Sequence, residues 1–353
     1  MITVLIPTAN RPDYLRTALR SVQRQSALGK ISKVIVSEHL GNRASEQVCK
    51  EFEELPIQYF FRDPDGDAKR GFLLMLQDVK TELLAVLFDD DWWGVDHIAH
   101  GVGGLATEPS LSCYFAAYFM VEGERSLLRC HPTVEFWHGT GFSSFETEWT
   151  LTLNDTVAAC LVDVPCTYSS MIAPTDTFAK AYSARLDVGN PYDSDRIMTL
   201  ELAKQGPIIV NPIPEVFVRF HSGQDKNRFS VESIKQYKRL SIQHLLTICR
   251  QRNINPGKEF DRRIASAPED VCSAICQSIL NDCEDLIAGK IIDSEVLFKY
   301  WQATREREDK GRHGRAVRKV LKQILPPVVV DCGNMIRRRM TDGRPAVAHT
   351  RPE

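Results

Sequence analysis

Three consecutive carboxylates, Asp89-Asp90-Asp91, directly follow the apolar run Leu83–Phe88. Adjacent carboxylates repel one another, so a triplet at the mouth of a buried strand is costly unless a cation compensates. Hard divalent ions take oxygen ligands of this kind and complete their shells with substrate phosphates. Two readings stand open at this point. One is a Mg²⁺ or Mn²⁺ site holding a phosphorylated substrate; the other is a solvated acidic turn capping a helix that begins near Val95. Position after an apolar run favours the first. Further polar groups end the earlier apolar runs: Pro7-Thr8-Ala9-Asn10-Arg11, then Ser37-Glu38-His39, then Arg62-Asp63.

The elements that must position these groups alternate regularly. Thr3–Ile6, Lys33–Val36, Ile57–Phe61 and Leu83–Phe88 read as strands. Helical period lies between them, as in Leu15, Leu19 and Val22 after Pro12-Asp13. Strand-helix repeats of this length predict an α/β fold, with a mostly parallel central sheet flanked by helices. Ligands of such sheets bind outside the carboxyl ends of the strands, where the polar groups gather. Residues 95–225 are less regular; Ser112–Val121 and Tyr168–Ile172 are expected strands, and Ser194–Gln205 an expected helix closed by Gly206. From Ser230 onward the pattern is helical, with Ile234, Tyr237, Leu245 and Ile248 on one apolar face. The expected division is 1–225 as catalytic domain and 226–353 as a helical C-terminal region.

A chain of 353 residues fits a larger and a smaller unit. Its 43% apolar and 25% charged residues are ordinary for a soluble protein, and a net charge of −2 gives no general attraction to nucleic acid. The ten cysteines contain no CxxC pair. Cys272, Cys276 and Cys283 fall at helical spacing among apolar residues, which predicts buried thiols in a reduced, cytoplasmic protein. No charged leader precedes Ile2–Ile6, and no apolar run approaches the ~20 residues of a membrane-spanning helix. The expectation is a protein that is soluble or peripheral on a membrane surface.

With these motifs in order, the sequence resembles glycosyltransferase family 2, enzymes of the GT-A fold. Val4-Leu5-Ile6-Pro7-Thr8-Ala9-Asn10-Arg11-Pro12, followed by Leu15 and Ser21-Val22, is similar to the family's first strand and helix. Leu87-Phe88-Asp89-Asp90-Asp91-Trp92-Trp93 resembles its DxD segment, and Val218-Arg219-Phe220-His221-Ser222-Gly223-Gln224 the stretch that often closes its catalytic domain. The resemblance implies transfer of a sugar from a nucleotide-diphosphate donor to an acceptor hydroxyl, with inversion. It implies that Pro7, Thr8, Asn10, Arg11 and Glu38 serve the donor nucleotide, although the family usually has aspartate where Glu38 stands. Asp89 and Asp90 would serve the donor, and Asp90, Asp91 and His221 a divalent cation, Mn²⁺ or Mg²⁺; Asp90 is the favoured direct ligand. Lys69 and Arg70 are the nearest candidates for the family's arginine-bearing loop.

Inverting transfer also needs a general base on the acceptor hydroxyl, typically a contribution of ~10²–10⁴-fold. Family members carry an acidic pair followed about eleven residues later by glycine. Counting back from Gly206 places Asp195 on the second acid and Ser194 on the first, with Asp193 the runner-up. Either aspartate has a plainer reading as a helix N-cap. Trp137 and Trp149 suit either stacking on sugar or filling core. Arg315, Arg318, Lys319 and Lys322 interleave with Val317, Val320, Leu321, Ile324 and Leu325 ahead of Arg337-Arg338-Arg339. This basic amphipathic pattern fits an anchor on an anionic membrane face or a helix packed on its own domain. The resemblance favours the membrane and a glycan or lipid-linked acceptor. A catalytically inactive nucleotide-sugar-binding module is the competing reading.

Overall fold

The structure is a computed structural model and describes residues 1–39, 43–62, 68–122, 125–130, 149–162, 166–190, 192, 194–221, 229–265, 267 and 269–306. The basic segment 315–325, Arg337-Arg338-Arg339, Asp193 and Trp137 lie outside the described residues.

The alternation read from the sequence builds β1 (Ile2–Thr8), α1 (Pro12–Gln23), β2 (Ile31–Glu38), α2 (Ala44–Lys50), β3 (Ile57–Phe61), α3 (Ala68–Gln77) and β4 (Leu83–Val86). α1 starts where Pro12 fixes the backbone and Asp13 meets the positive end of the helix. Leu15, Leu19 and Val22 then lie at zero exposure against Ile2, Val4 and Ile6 of β1 and Val34 and Val36 of β2. β5 (Trp92–Trp93), α4 (His97–Thr107), β6 (Cys113–Glu122), β7 (Arg125–Cys130), β8 (Trp149–Leu151) and α5 (Leu153–Val162) follow. The side chain of Trp149 is outside the described residues. Next come β9 (Met171–Pro174), α6 (Thr175–Val188), α7 (Ser194–Ala203) and β10 (Ile208–Phe220).

All ten strands join one sheet in the order β3-β2-β1-β4-β9-β6-β10-β5, with β7 on β6 and β8 on β10. β3, β2, β1 and β4 are parallel, as expected. The sheet is mixed beyond them, because β9 runs antiparallel to both β4 and β6. The expected strand Tyr168–Ile172 splits: Tyr168–Ser170 is a tight 3₁₀ turn, and only from Met171 does the chain extend. That turn lies at the carboxyl end of β4, so β9 enters the sheet there and must run against β4.

Gly206 lies just past α7, where a Cβ would meet the Ser110 carbonyl oxygen at 2.2 Å. β10 is interrupted between Asn211 and Val216, so its second half is re-aimed before it pairs with β5 and the end of β6.

Residues Met1–Phe298 form one compact unit and Lys299–Glu353 a second, of which 299–306 are described and helical. The first unit includes α8 (Val231–Arg252), α9 (Pro256–Ile264) and α10 (Glu269–Ala288). Leu245 and Ile248 of the expected apolar face are buried, whereas Ile234 and Tyr237 are half-buried. Cys276 and Cys283 are buried free thiols, Cys272 partly so. Among the described residues no helix is long and apolar enough to cross a membrane.

Candidate active site

β4 ends at Val86, two residues earlier than expected, and the chain turns: Asp91 N donates to the Phe88 carbonyl at 3.1 Å. The acidic triplet is therefore a turn, but not a solvated one, since Asp89, Asp90 and Asp91 are 4%, 9% and 3% exposed. It caps no helix either, because α4 begins at His97 with Asp96 before it.

Each carboxylate has its own setting. Thr8 Oγ1 donates to Asp89 Oδ2 at 2.7 Å, and Arg11 Nη1 reaches Asp89 Oδ1 and Asp90 Oδ2, both at 3.3 Å. His221 Nε2 lies 3.0 Å from Asp90 Oδ2. Asp91 is turned inward, taking Ser169 Oγ at 2.6 Å and Arg219 N at 3.0 Å. Ser169 Oγ also accepts from Phe88 N at 3.1 Å, so one hydroxyl ties both ends of the turn to the 168–170 segment.

Charge in this turn is unbalanced. Among the described residues Arg11 is the guanidinium bonded to its carboxylates, and the His221 imidazole lies beside Asp90. Burial, and then the charge of Asp90, push Asp89 up to about 6 against the Thr8 hydroxyl that favours its ionised form. Burial and Asp90 likewise raise Asp91 well above the ordinary carboxylate range. Among the described residues no three His, Cys, Asp or Glu side chains converge as a complete metal cage. Asp90 and His221 instead provide an oxygen and a nitrogen side by side in a region of excess negative charge. That donor pair fits an ion that draws its remaining ligands from water and phosphate.

The other expected donor residues lie at the ends of β1 and β2 and at the start of α3. The carboxyl ends of β1, β2 and β3 are level, because His39 N donates to Thr8 O at 2.8 Å and Arg62 N to Glu38 O at 3.0 Å. Pro7 is half-buried and Asn10 exposed, the latter with a left-handed φ of 55°. Glu38 is fully buried and accepts from the Tyr59 hydroxyl at 2.6 Å. Lys69 and Arg70 lie on the first turn of α3, with side chains outside the described residues.

Asp195 is inside α7, in its first turn, so it is not the helix N-cap. Its charge acts on the buried phenol of Tyr168. The Tyr168 ring in turn lies 5.7 Å from that of Phe88.

Two contributors, Ser169 and Tyr14, carried no sequence signal of their own, while Trp92 and Arg219 lie in stretches the resemblance had singled out. Ser169 stands 78 positions from Asp91. Tyr14 packs its ring 4.9 Å from that of His221, and with Trp92 it sandwiches the Arg219 guanidinium, at 4.7 and 4.9 Å. Arg219 Nε donates to the Asp90 carbonyl at 3.1 Å, which fixes the end of β10 on the acidic turn.

The family model for glycosyl transferase family 2 matches residues 3–160. Over those residues the chain is similar to that family. The family 2 segment holds β1 through most of α5, hence Thr8, Arg11, Glu38 and the acidic turn, while Asp195, Arg219 and His221 lie beyond it. The chain is also similar in structure to S. aureus TarS 1-349 in complex with UDP-GlcNAc. That match is 13% identical, covers 88% of this chain and 92% of the other, and has a TM-score of 0.52. TarS 1-349 in complex with UDP gives 15% identity, 86% and 91% coverage and a TM-score of 0.51. At such identity the likeness establishes the shared fold, GT-A. The chain spans 48% of the length of a longer TarS structure, covering 81% of itself at 14% identity and a TM-score of 0.48. No curated protein sequence matches the chain.

Proposed function

We propose that this chain moves a sugar from a nucleotide-diphosphate-sugar to an acceptor hydroxyl with inversion, aided by a divalent cation. The observation that carries the proposal is the buried, charge-unbalanced turn Asp89–Asp91 at the carboxyl edge of the sheet. Folding has placed three carboxylates there against Arg11 and His221. The family 2 segment supports sugar transfer, and TarS 1-349 with UDP-GlcNAc shows that this fold accommodates such a donor.

Asp90 and His221 would hold the cation. Bound there, Mg²⁺ or Mn²⁺ supplies neutralisation of the departing diphosphate, worth several kcal/mol. The chain's own groups do the rest. Thr8 and Arg11 fix Asp89 and the strand-end loop against the donor, Glu38 lies at the nucleoside end, and Asp91 holds Ser169 and β10 in place. Asp195 accepts the proton of the acceptor hydroxyl as that oxygen attacks the anomeric carbon from the face opposite the leaving group.

The test is melting temperature with UDP-, GDP-, dTDP- and CMP-sugars, each with and without Mn²⁺, since a ligand of the folded state raises it by mass action. A metal-dependent shift from one nucleotide is expected. Equal shifts without metal would remove the cation from the proposal, and no shift from any donor would remove the donor site.

A further inference from the structure

Four side chains from three parts of the chain stack beside the acidic turn: Tyr14 of α1, Trp92 of β5, Arg219 of β10 and His221 just after it. The Tyr14 ring lies 4.9 Å from the His221 imidazole, tilted by 54°. The Arg219 guanidinium has Tyr14 at 4.7 Å and Trp92 at 4.9 Å. Trp92 is backed in turn by Phe217, its partner across the β5–β10 pairing, parallel to it at 5.2 Å.

Tyr14 therefore touches both β10 groups that reach Asp90. His221 Nε2 lies 3.0 Å from Asp90 Oδ2, and Arg219 Nε donates to the Asp90 carbonyl at 3.1 Å. The place of Tyr14 itself is set by α1. Its neighbour Leu15 is fully buried, and Leu15 N donates to the carbonyl of Arg11, the helix N-cap, at 3.0 Å. Arg11 and Tyr14, about one turn apart, thus approach the acidic turn together. The guanidinium reaches the carboxylates, and the phenol ring packs on the imidazole. His221 lies past Phe220, the last paired residue of β10. The torsion that turns an imidazole about its Cβ is broad, so a ring packed against it narrows the orientations available.

We propose that Tyr14 is a positioning residue of the cation site: its ring holds the His221 imidazole with Nε2 toward Asp90, and so presets the nitrogen–oxygen pair offered to the ion. This rests on the cation site proposed above. Groups that orient a metal-ligating imidazole are typically worth about 10–100-fold in metal affinity. A packed ring is less directional than a hydrogen bond, which places Tyr14 at the lower end. It orients by contact alone, so its hydroxyl is not required.

The experiment uses the full chain as wild type, Tyr14→Ala, Tyr14→Phe, His221→Ala and the Tyr14→Ala/His221→Ala double variant. Mn²⁺ affinity is read from the electron paramagnetic resonance of the free ion, with Mn²⁺ alone and with UDP added. Tyr14→Ala is expected to weaken Mn²⁺ by roughly tenfold, and Tyr14→Phe to stay close to wild type. Adding Tyr14→Ala to His221→Ala should cost nothing further, because residues that act through one group are not additive. A general role in folding would add its loss in both backgrounds. Equal losses in the two backgrounds, or wild-type affinity in Tyr14→Ala, overturn the inference. The His221 ring resonances of the metal-free protein test the contact independently: they should move in Tyr14→Ala and hold in Tyr14→Phe, and unmoved resonances in Tyr14→Ala also overturn it. Failure of wild type to bind Mn²⁺ is a different result: it rejects the cation site itself.

Discussion

Two buried acidic sites lie on either side of the β5–β10 pairing, and they differ in how completely the protein satisfies them. On one side Glu215, 6% exposed, is surrounded by donors. Its Oε1 is bonded to His100 Nδ1, and its Oε2 takes the Tyr114 hydroxyl at 3.1 Å and lies 3.6 Å from His97 Nδ1. Asn211 Nδ2 donates in turn to the Tyr114 oxygen at 2.9 Å. Burial pushes Glu215 up, but the two imidazoles outweigh it and hold the carboxyl below its ordinary range. On the other side, carboxylates of similar burial are pushed upward by burial and by each other. Burial alone therefore does not mark a ligand site. The mark is charge balance: among the described residues the single Glu215 carboxylate has two imidazoles and a phenol around it, whereas the acidic turn sets three carboxylates beside Arg11 and His221, as the proposed cation and donor would require.

Substitutions that break this contrast are expected to act in a definite order. Asp90→Ala removes the oxygen next to His221 and should abolish Mn²⁺-dependent nucleotide binding, with turnover falling by about 10³-fold or more. Calorimetry with and without Mn²⁺ checks this. Asp195→Asn should lower turnover by ~10²–10⁴-fold while donor affinity is kept, because the base acts on the acceptor. Steady-state kinetics beside donor titration separates the two, and near-normal turnover would reassign the base.

A third expectation sharpens the contrast through pH. With its folded value near 6 against an ordinary 3.8, Asp89 retains a proton in the metal-free protein where the unfolded chain has lost it. The metal-free fold therefore loses stability from this group as pH rises through that window. Glu215 has the opposite sign: its contribution is complete above its ordinary 4.5 and is lost as pH falls below it. Melting curves from pH 4 to 8 should show Asp89→Asn flattening the first slope and Glu215→Gln the second. Protons also compete with metal at the acidic turn, so Mn²⁺ affinity should weaken as pH drops through about 6. The smallest effect expected is Glu215→Gln at neutral pH, a loss of about 1–3 kcal/mol from a buried hydrogen-bonded carboxylate, with Mn²⁺-dependent binding retained.

Local pattern made the parallel half of the sheet legible. Pro12-Asp13 starts α1, Leu15, Leu19 and Val22 show which face it buries, and each apolar run ends in the polar residues that reach the crevice. The acidic turn was legible for the same reason, since three adjacent carboxylates after an apolar run are unusual in themselves. The antiparallel β9 was not. Its direction follows from where the Tyr168–Ser170 turn docks, and docking is a contact between Ser169 and residues near position 90. Nor does a lone serine, or a glutamate in Asn211-Pro212-Ile213-Pro214-Glu215, announce partners about 80 or 115 positions away.

The sequence by itself thus determined which segments become strands and helices, where the acids stand along the chain, and the likeness of residues 3–160 to glycosyl transferase family 2. Only the tertiary structure decided which acids are satisfied and which are left in excess. That Asp90 rather than Asp91 faces His221 depends on β10 and the 168–170 turn arriving from distant parts of the chain. Period and composition are properties of neighbours in sequence, whereas burial and charge balance are properties of neighbours in space.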